Sequence, residues 1–315
     1  MKPLRLVPEN TAIDFVRLRL FGFIVSGLLI LGTAIGLAAP GLNLGIDFKG
    51  GILIEARAPQ PIDVGALRGQ LNGLGLGEVQ LQQFGEPNDV LIRVQRQEGD
   101  EAAQNAAVSL VRETLGTAYE YRRVELVGPR VGGELMQQGI IATLLAVAAI
   151  AAYVAFRFEW QFGVSALIAT FHDVFVTVGL FIVLQLEFDL TAVAALLTLA
   201  GYSINDTVVI FDRMREQMRK YKTADLKTII NLSVNQTLGR TILTSGTTLL
   251  AILPLLLYGG SALHNFTIAL FWGVLVGTFS SVYVAAALLL YMPPIRRGGE
   301  EKPESDPADA RASKT

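Results

Sequence analysis

Asp206 stands inside an apolar run that begins at Leu190, several residues before the basic cluster Arg213, Arg215, Arg219 and Lys220. An ionisable side chain within a membrane span costs about 2.5–3.5 kcal/mol on insertion scales, so it reads first as a functional group turned toward protein or water. The chemistry open to such a carboxylate is proton uptake and release, tuned by whatever charge lies beside it. Arg240 opens a later apolar segment and is the natural partner, because its long stem could dip inward. An arginine near a span end also snorkels to the headgroups, and Asp206 could instead be a structural acid bonded to Thr207 or to a hydroxyl of a neighbouring helix. Asn205 and Thr244 are the residues placed to lend the pair polar support.

A second polar pair, His172-Asp173, interrupts the middle of another apolar segment. Successive helical residues point about 100° apart, so one of the two, not both, is expected to face a given neighbour. Asp173 would then join the polar cluster, as a further proton-conducting or coupling residue, or bond a Ser or Thr across helices, and His172 would lend polar support or suit a proton relay. A satisfied interhelical polar pair accounts for the same residues. The chain has two His and no Cys, so it offers no metal-ligand spacing, no disulfide and no thiol chemistry, and neither a metal nor a cofactor is expected.

Small and hydroxylated residues gather in the later apolar segments: Thr241, Thr244, Ser245, Gly246, Thr247 and Thr248, then Gly273-x-x-x-Gly277 with Ser280 and Ser281. Together with Gly32-x-x-x-Gly36, they read mainly as surfaces where membrane helices approach and hydrogen-bond. Two glycine-rich motifs, GIDFKGG at 45–51 and VGPRVGGE at 127–134, lack the strand–loop–helix setting and the Lys-Ser/Thr pair of a nucleotide site. They are expected to be tight joints. No Ser-His-Asp or paired-carboxylate arrangement is available for hydrolysis, so the chain is not read as an enzyme.

The elements that must position these groups follow from composition. The 315 residues are 51% hydrophobic and 17% charged, with a mean hydropathy of +0.46. That is too apolar for an ordinary soluble domain of this length. The expected class is an α-helical polytopic membrane protein with six transmembrane helices. One small α+β, ferredoxin-like extracytoplasmic domain is expected between the first and second. Two His and the lack of a basic tract leave no case for nucleic acid.

Residues 1–19 carry Lys2, Arg5, Arg17 and Arg19 and read as a cytoplasmic segment. The uncharged run 20–39 is long enough to cross a hydrocarbon core of ~30 Å. It is read as an uncleaved anchor, since its apolar core is too long for a signal peptide and Leu37 occupies a position where cleavage wants a small residue. Residues 40–137 contain no span. Strands are expected at 46–56, 79–84, 90–95 and 119–127, with helices at 64–74 and 101–115, giving the order β-α-β-β-α-β. This is the split-βαβ arrangement, with two helices on one face of an antiparallel sheet.

Five further apolar segments occupy 138–156, 162–184, 190–211, 241–258 and 266–291, within a region 138–294. The mixed stretch 213–239, with Leu226, Ile229, Ile230 and Leu232, suggests a helix lying along the cytoplasmic membrane surface. The polar tail, 295–315, has too little apolar surface to fold. Basic residues cluster at the N-terminus, at Arg157, from Arg213 to Arg240 and at Arg296-Arg297, whereas 185–189 and 259–265 have none. The positive-inside rule therefore puts both termini in the cytoplasm and the ferredoxin-like domain outside, although that domain holds nine basic and thirteen acidic residues, a net of −4.

The blocks GIDFKGG, VGPRVGGEL, RFEWQF with HD, AALLTLAGYSINDTVVIFDRMRE, NQTLGRTILTSGTTLL and GTFSSVYVA occur in that order. In this the chain, from Asp14 to about Pro294, resembles the SecD/SecF family of protein-export membrane proteins. The resemblance implies a six-span half of the resistance-nodulation-division architecture, of the SecF kind and paired with a larger SecD half. It implies partnership with the SecYEG channel and SecA motor, and export of unfolded polypeptide driven by the proton gradient across a bacterial inner membrane. It also implies proton passage at the span-four Asp and span-five Arg, which fall on Asp206 and Arg240, and it gives Asp173 no equally firm role. The polar leader and tail suggest a separate subunit rather than a fused one.

Two other classes remain in view. A small-molecule or lipid exporter of the same architecture would want a large apolar pocket in the outer domain and two such halves. A purely structural subunit of a channel would tolerate neutral substitutions at Asp206 and Arg240.

Overall fold

The computed structural model describes residues 11–77, 79–83 and 85–295. Lys2, Arg5, Arg296, Arg297 and the polar tail lie outside the described residues. The chain enters through α1 (Arg19–Ala38), β1 (Asn43–Leu44) and the single turn α2 (Ile46–Lys49). An α+β domain follows, made of β2 (Gly51–Arg57), α3 (Val64–Asn72), β3 (Val79–Gln83), β4 (Asp89–Val94), α4 (Glu101–Leu115) and β5 (Glu120–Val127). Next come α5 (Pro129–Arg157), α6 (Trp160–Val183), β6 (Glu187–Phe188), α7 (Leu190–Lys220), α8 (Leu226–Tyr258) and α9 (Gly260–Ser280). A π turn at Ser281–Ala285, the short α10 (Ala286–Leu288) and a 3-10 turn at Leu289–Tyr291 continue α9. Among the described residues, six helices are long and apolar enough to cross a membrane, which makes this a multi-pass membrane protein.

The sheet order is β3-β4-β2-β5, and every pair of neighbours is antiparallel, as the β-α-β-β-α-β reading requires. Alternation along β2 turns Ile52, Ile54 and Ala56 to one face, where Val90, Ile92 and Val94 of β4 meet Leu67 and Leu71 of α3 and Val108, Val111 and Leu115 of α4. Asp63 and Asp100 cap the two helices by accepting from backbone N–H groups of their first turns. One strand differs from expectation. The run 46–56 is broken into α2 and β2, because Gly50 and Gly51 have φ of +73° and +133°, and a Cβ on Gly51 would lie 2.8 Å from the Val94 carbonyl oxygen.

The two glycine-rich motifs pack on each other. A Cβ on Gly132 in α5 would lie 3.1 Å from the Phe48 carbonyl oxygen and 3.3 Å from that of Asp47, so the first turns of α5 rest on the backbone of α2. Beside them, β1 and β6 form a parallel two-residue ladder, Asn43 opposite Glu187 and Leu44 opposite Phe188. This ladder is not legible in the residue pattern, since two residues are too few to show a period.

Within the bundle, α6, α7 and α9 carry most of the buried surface, while α1, α5 and α8 leave most of theirs open. The stretch 213–239 is not a separate surface helix. Residues 213–220 prolong α7 and residues 226–239 begin α8, with a short turn between. Ile229 and Ile230 spend their apolar face on the cluster of Phe158, Phe162, Phe211 and Met214 rather than on lipid. Near the same end, Asn231 and Asn235 of α8 accept from the backbone N–H groups of Val16 and Ile13, fastening the approach to α1.

Candidate functional site

Asp206 lies in the middle of α7 and is 3% exposed. The groups that act on its carboxyl are both on α8: the Thr244 hydroxyl, which hydrogen-bonds to it, and the charge of Arg240. Its Oδ2 has no hydrogen-bond partner among the described residues. Asp206 and Arg240 form no ion pair within 4 Å among the described residues, and Arg240 is exposed in the isolated chain. The structure therefore brings Asp206, Thr244 and Arg240 to one seam without closing the contact between the charges. Asn205 is not a support for Asp206: one residue along the helix it points to another face, where it is exposed.

One to two turns toward the α+β domain, hydroxyls continue along this seam. Tyr202 Oη donates to Ser245 Oγ at 3.3 Å, and Ser245 Oγ lies 2.6 Å from Thr278 Oγ1 of α9. Neither Tyr202 nor Thr278 was singled out from the sequence. Each lies one turn or less from a motif residue, but an aromatic or a threonine in an apolar helix carries no signal of its own.

Asp173 occupies a separate and more enclosed site. It is fully buried, and three side chains converge on it: Ser203 Oγ of α7 donates to Oδ2 at 2.5 Å, Ser280 Oγ of α9 donates to the same oxygen at 2.7 Å, and His172 Nδ1 lies 2.8 Å from Oδ1. As expected from helix geometry, one member of the His-Asp pair, Asp173, bonds serines across helices, while His172 reaches only Asp173 beside it. Gly277 makes room for the carboxylate, since a Cβ there would stand 3.5 Å from Asp173 Oδ2. Asp173 thus ties α6, α7 and α9 together and does not meet Asp206 directly.

The end of α9 serves both places, because successive helical residues point about 100° apart. Ser280 bonds Asp173 while the adjacent Ser281 lies 3.1 Å from Thr207 Oγ1, next to Asp206. A π turn inserts an extra residue and frees backbone carbonyls. Ser165 Oγ of α6 donates to the Ala285 carbonyl at 2.6 Å within it. Ser280 and Ser281 were visible as small packing residues, but their division between two clusters was not.

At the domain end of α7, Asp189 caps the helix through Ala192 N–H at 2.8 Å, and Asp47 of α2 accepts from Leu190 N–H at 2.9 Å. Glu187 forms a buried ion pair with Arg93 of β4. These groups border a cavity of about 130 Å³ that also meets Arg123 and His264. Burial pushes the Glu187 and Asp189 carboxyls above the ordinary carboxylate range, more than the Arg93 charge pulls Glu187 back.

Residues 107–294 match the family described as protein export membrane protein SecD/SecF, C-terminal, and residues 35–62 match the SecD/SecF GG motif. The chain belongs to the SecD/SecF family. Its relatives include the protein translocase subunit SecF of Rhodobacter capsulatus, 44% identical over 96% of this chain and 95% of that one. The protein translocase subunit SecF of Rickettsia bellii is also 44% identical, over 91% of this chain and 95% of its own length. Among solved structures, SecDF of Thermus thermophilus, described as a translocon-associated membrane protein, superposes with a TM-score of 0.83 at 37% identity. That match covers 92% of this chain and 39% of the SecDF chain, so this SecD/SecF member spans about two fifths of the solved protein. The GG motif falls on α2 and the Gly50-Gly51 turn, where the domain is joined to the membrane helices.

Proposed function

We propose that this chain is a SecF-type translocase subunit that pairs with a SecD half and uses the proton gradient to help draw polypeptide through the SecYEG channel after SecA. In this reading both termini are in the cytoplasm of a bacterium, the α+β domain lies outside the inner membrane, and Asp206 takes up and releases the proton beside Arg240. The observation that carries it is the seam between α7 and α8. A buried carboxylate with one oxygen unpartnered among the described residues lies opposite the Arg240 guanidinium without an ion pair to it, and Asn205 and Arg240 are exposed on helices long and apolar enough to cross a membrane. A second membrane half covering that face supplies what lipid cannot.

Protonation of Asp206 weakens its attraction for Arg240 and so changes how α7 packs on α8. Helix α7 carries that change outward, because its other end is tied to Asp47 of α2 and follows Glu187, which pairs with Arg93 of the domain. The names of the relatives do not favour export of a small molecule. Asp206→Asn tests the proposal in cells and vesicles: export stimulation is lost while insertion and assembly with SecD persist. Normal export by that variant would leave only a structural role for the residue.

A further inference from the structure

Two buried polar atoms, one on α1 and one on α6, have no hydrogen-bond partner among the described residues. Ser26 Oγ on α1 and His172 Nε2 on α6 are both without a hydrogen bond, in residues 5% and 3% exposed. Contacts nearer the domain fix how α1 and α6 align. A Cβ on Gly179 would lie 2.1 Å from Thr33 Oγ1, and one on Gly36 would lie 2.8 Å from Ile182 Cγ2. Both numbers rise together, so the helices run parallel. Ser26 precedes Thr33, and His172 precedes Gly179, by seven residues, close to two full turns. The two orphaned atoms therefore belong to the same faces as the contacting pair and stand at the same level.

Their chemistry is complementary to a single small ligand. Thr33 satisfies its own hydroxyl by donating to the Leu29 carbonyl at 2.9 Å, whereas Ser26 does not bond back into its helix. His172 has already spent Nδ1 on Asp173, whose other oxygen accepts from Ser203 and Ser280. With Nδ1 engaged by Asp173, Nε2 is the ring nitrogen still in need of a partner. Lipid and apolar side chains offer none, and the site is closed to a partner chain by its burial.

We propose that a water molecule is bound between α1 and α6, hydrogen-bonded to both His172 Nε2 and Ser26 Oγ. Polar, enclosed sites with at least two partners are where proteins hold internal water. This site extends the Asp173 cluster to a fourth helix, so that α1, the helix leading to the GG motif, is hydrogen-bonded to the same network as α6, α7 and α9. The inference is independent of whether Asp206 carries protons.

The chain has only two histidines, which makes the test direct. The full-length protein in lipid nanodiscs, labelled with 15N and 13C at histidine, is compared with a His264→Asn variant to assign His172. Transfer of magnetisation from water to the His172 ring is then followed by solid-state NMR. The wild type is expected to show rapid transfer and a hydrogen-bonded Nε2 shift. Ser26→Val, which fills the space, should reduce the transfer several-fold and move Nε2, while Ser26→Thr restores both. Absence of water transfer in the folded wild type, or transfer unchanged in Ser26→Val, would overturn the proposal.

Discussion

The carboxylate of Asp47 accepts a hydrogen bond from the backbone N–H of Leu190 at 2.9 Å, joining the GG motif to the first residue of α7. The first N–H groups of a helix have no partner within it, and an acid there also meets the positive end of the helix dipole. Asp47→Ala should destabilise the detergent-solubilised protein by about 0.5–2 kcal/mol, the usual cost of losing such a cap. Thermal unfolding measures this, and Asp47→Asn should recover most of the loss. An unchanged midpoint for Asp47→Ala would mean that Asp189 caps α7 alone.

The junction and the domain should respond to pH with opposite sign. Burial raises the Glu187 and Asp189 carboxyls, so the folded state holds their protons more tightly than the unfolded chain. Their contribution is present at acid pH and is lost as pH rises through their raised values. Asp89 is depressed, first by its hydrogen bonds to Arg57 at 2.5 Å, so its contribution is present above the ordinary aspartate range and is lost as pH falls through its lowered value. Glu187→Gln should flatten the acid-side gain, and Asp89→Asn should flatten the acid-side loss. Protease protection of the domain followed from about pH 3 to 7 in each variant would separate the two.

Asp173 should behave as a structural acid. Leaving a buried polar group without its hydrogen-bond partner costs about 1–3 kcal/mol, so Ser280→Ala and Ser203→Ala should each lower stability by an amount of that order. Because both donate to Oδ2, their effects should be coupled rather than additive in a double-mutant cycle. A thermal melt of the four proteins gives the coupling. Strict additivity would show that the two hydroxyls do not share one acceptor.

Close packing of α1 on α6 makes Gly179 intolerant. Its Cβ would fall 2.1 Å from Thr33 Oγ1, well inside van der Waals contact. Gly179→Ala should cost about 1–3 kcal/mol through overpacking, and Thr33→Ala should relieve much of it in the double variant. Failure of Thr33→Ala to compensate would place the strain elsewhere on α6.

The lesson of these particulars concerns range. The periods of Ile52, Ile54 and Ala56 in β2, and of Leu67 and Leu71 in α3, are local properties, and the α+β order could be written down from them. The long apolar runs announced six membrane helices for the same reason. What sequence reading missed was non-local. The apolar face of 226–230 looked like a membrane-surface helix because nothing nearby in sequence identifies Phe158 and Phe211 as its partners. Asn205 looked like support for Asp206 because adjacency in sequence is not adjacency on a helix.

By itself, the sequence determined that a carboxylate would be carried inside an apolar helix and that some polar group must answer it, since lipid solvates no charge. Only the tertiary structure decided which group answers. It turned Asp206 to Thr244 and Arg240, gave Asp173 to Ser203, Ser280 and His172, and left Asn205 outside. The reason is geometric: hydrophobicity is a sum over neighbouring residues, whereas a hydrogen bond depends on the rotation and register of two helices, and those are set by contacts such as Gly179 with Thr33 and Gly277 with Asp173.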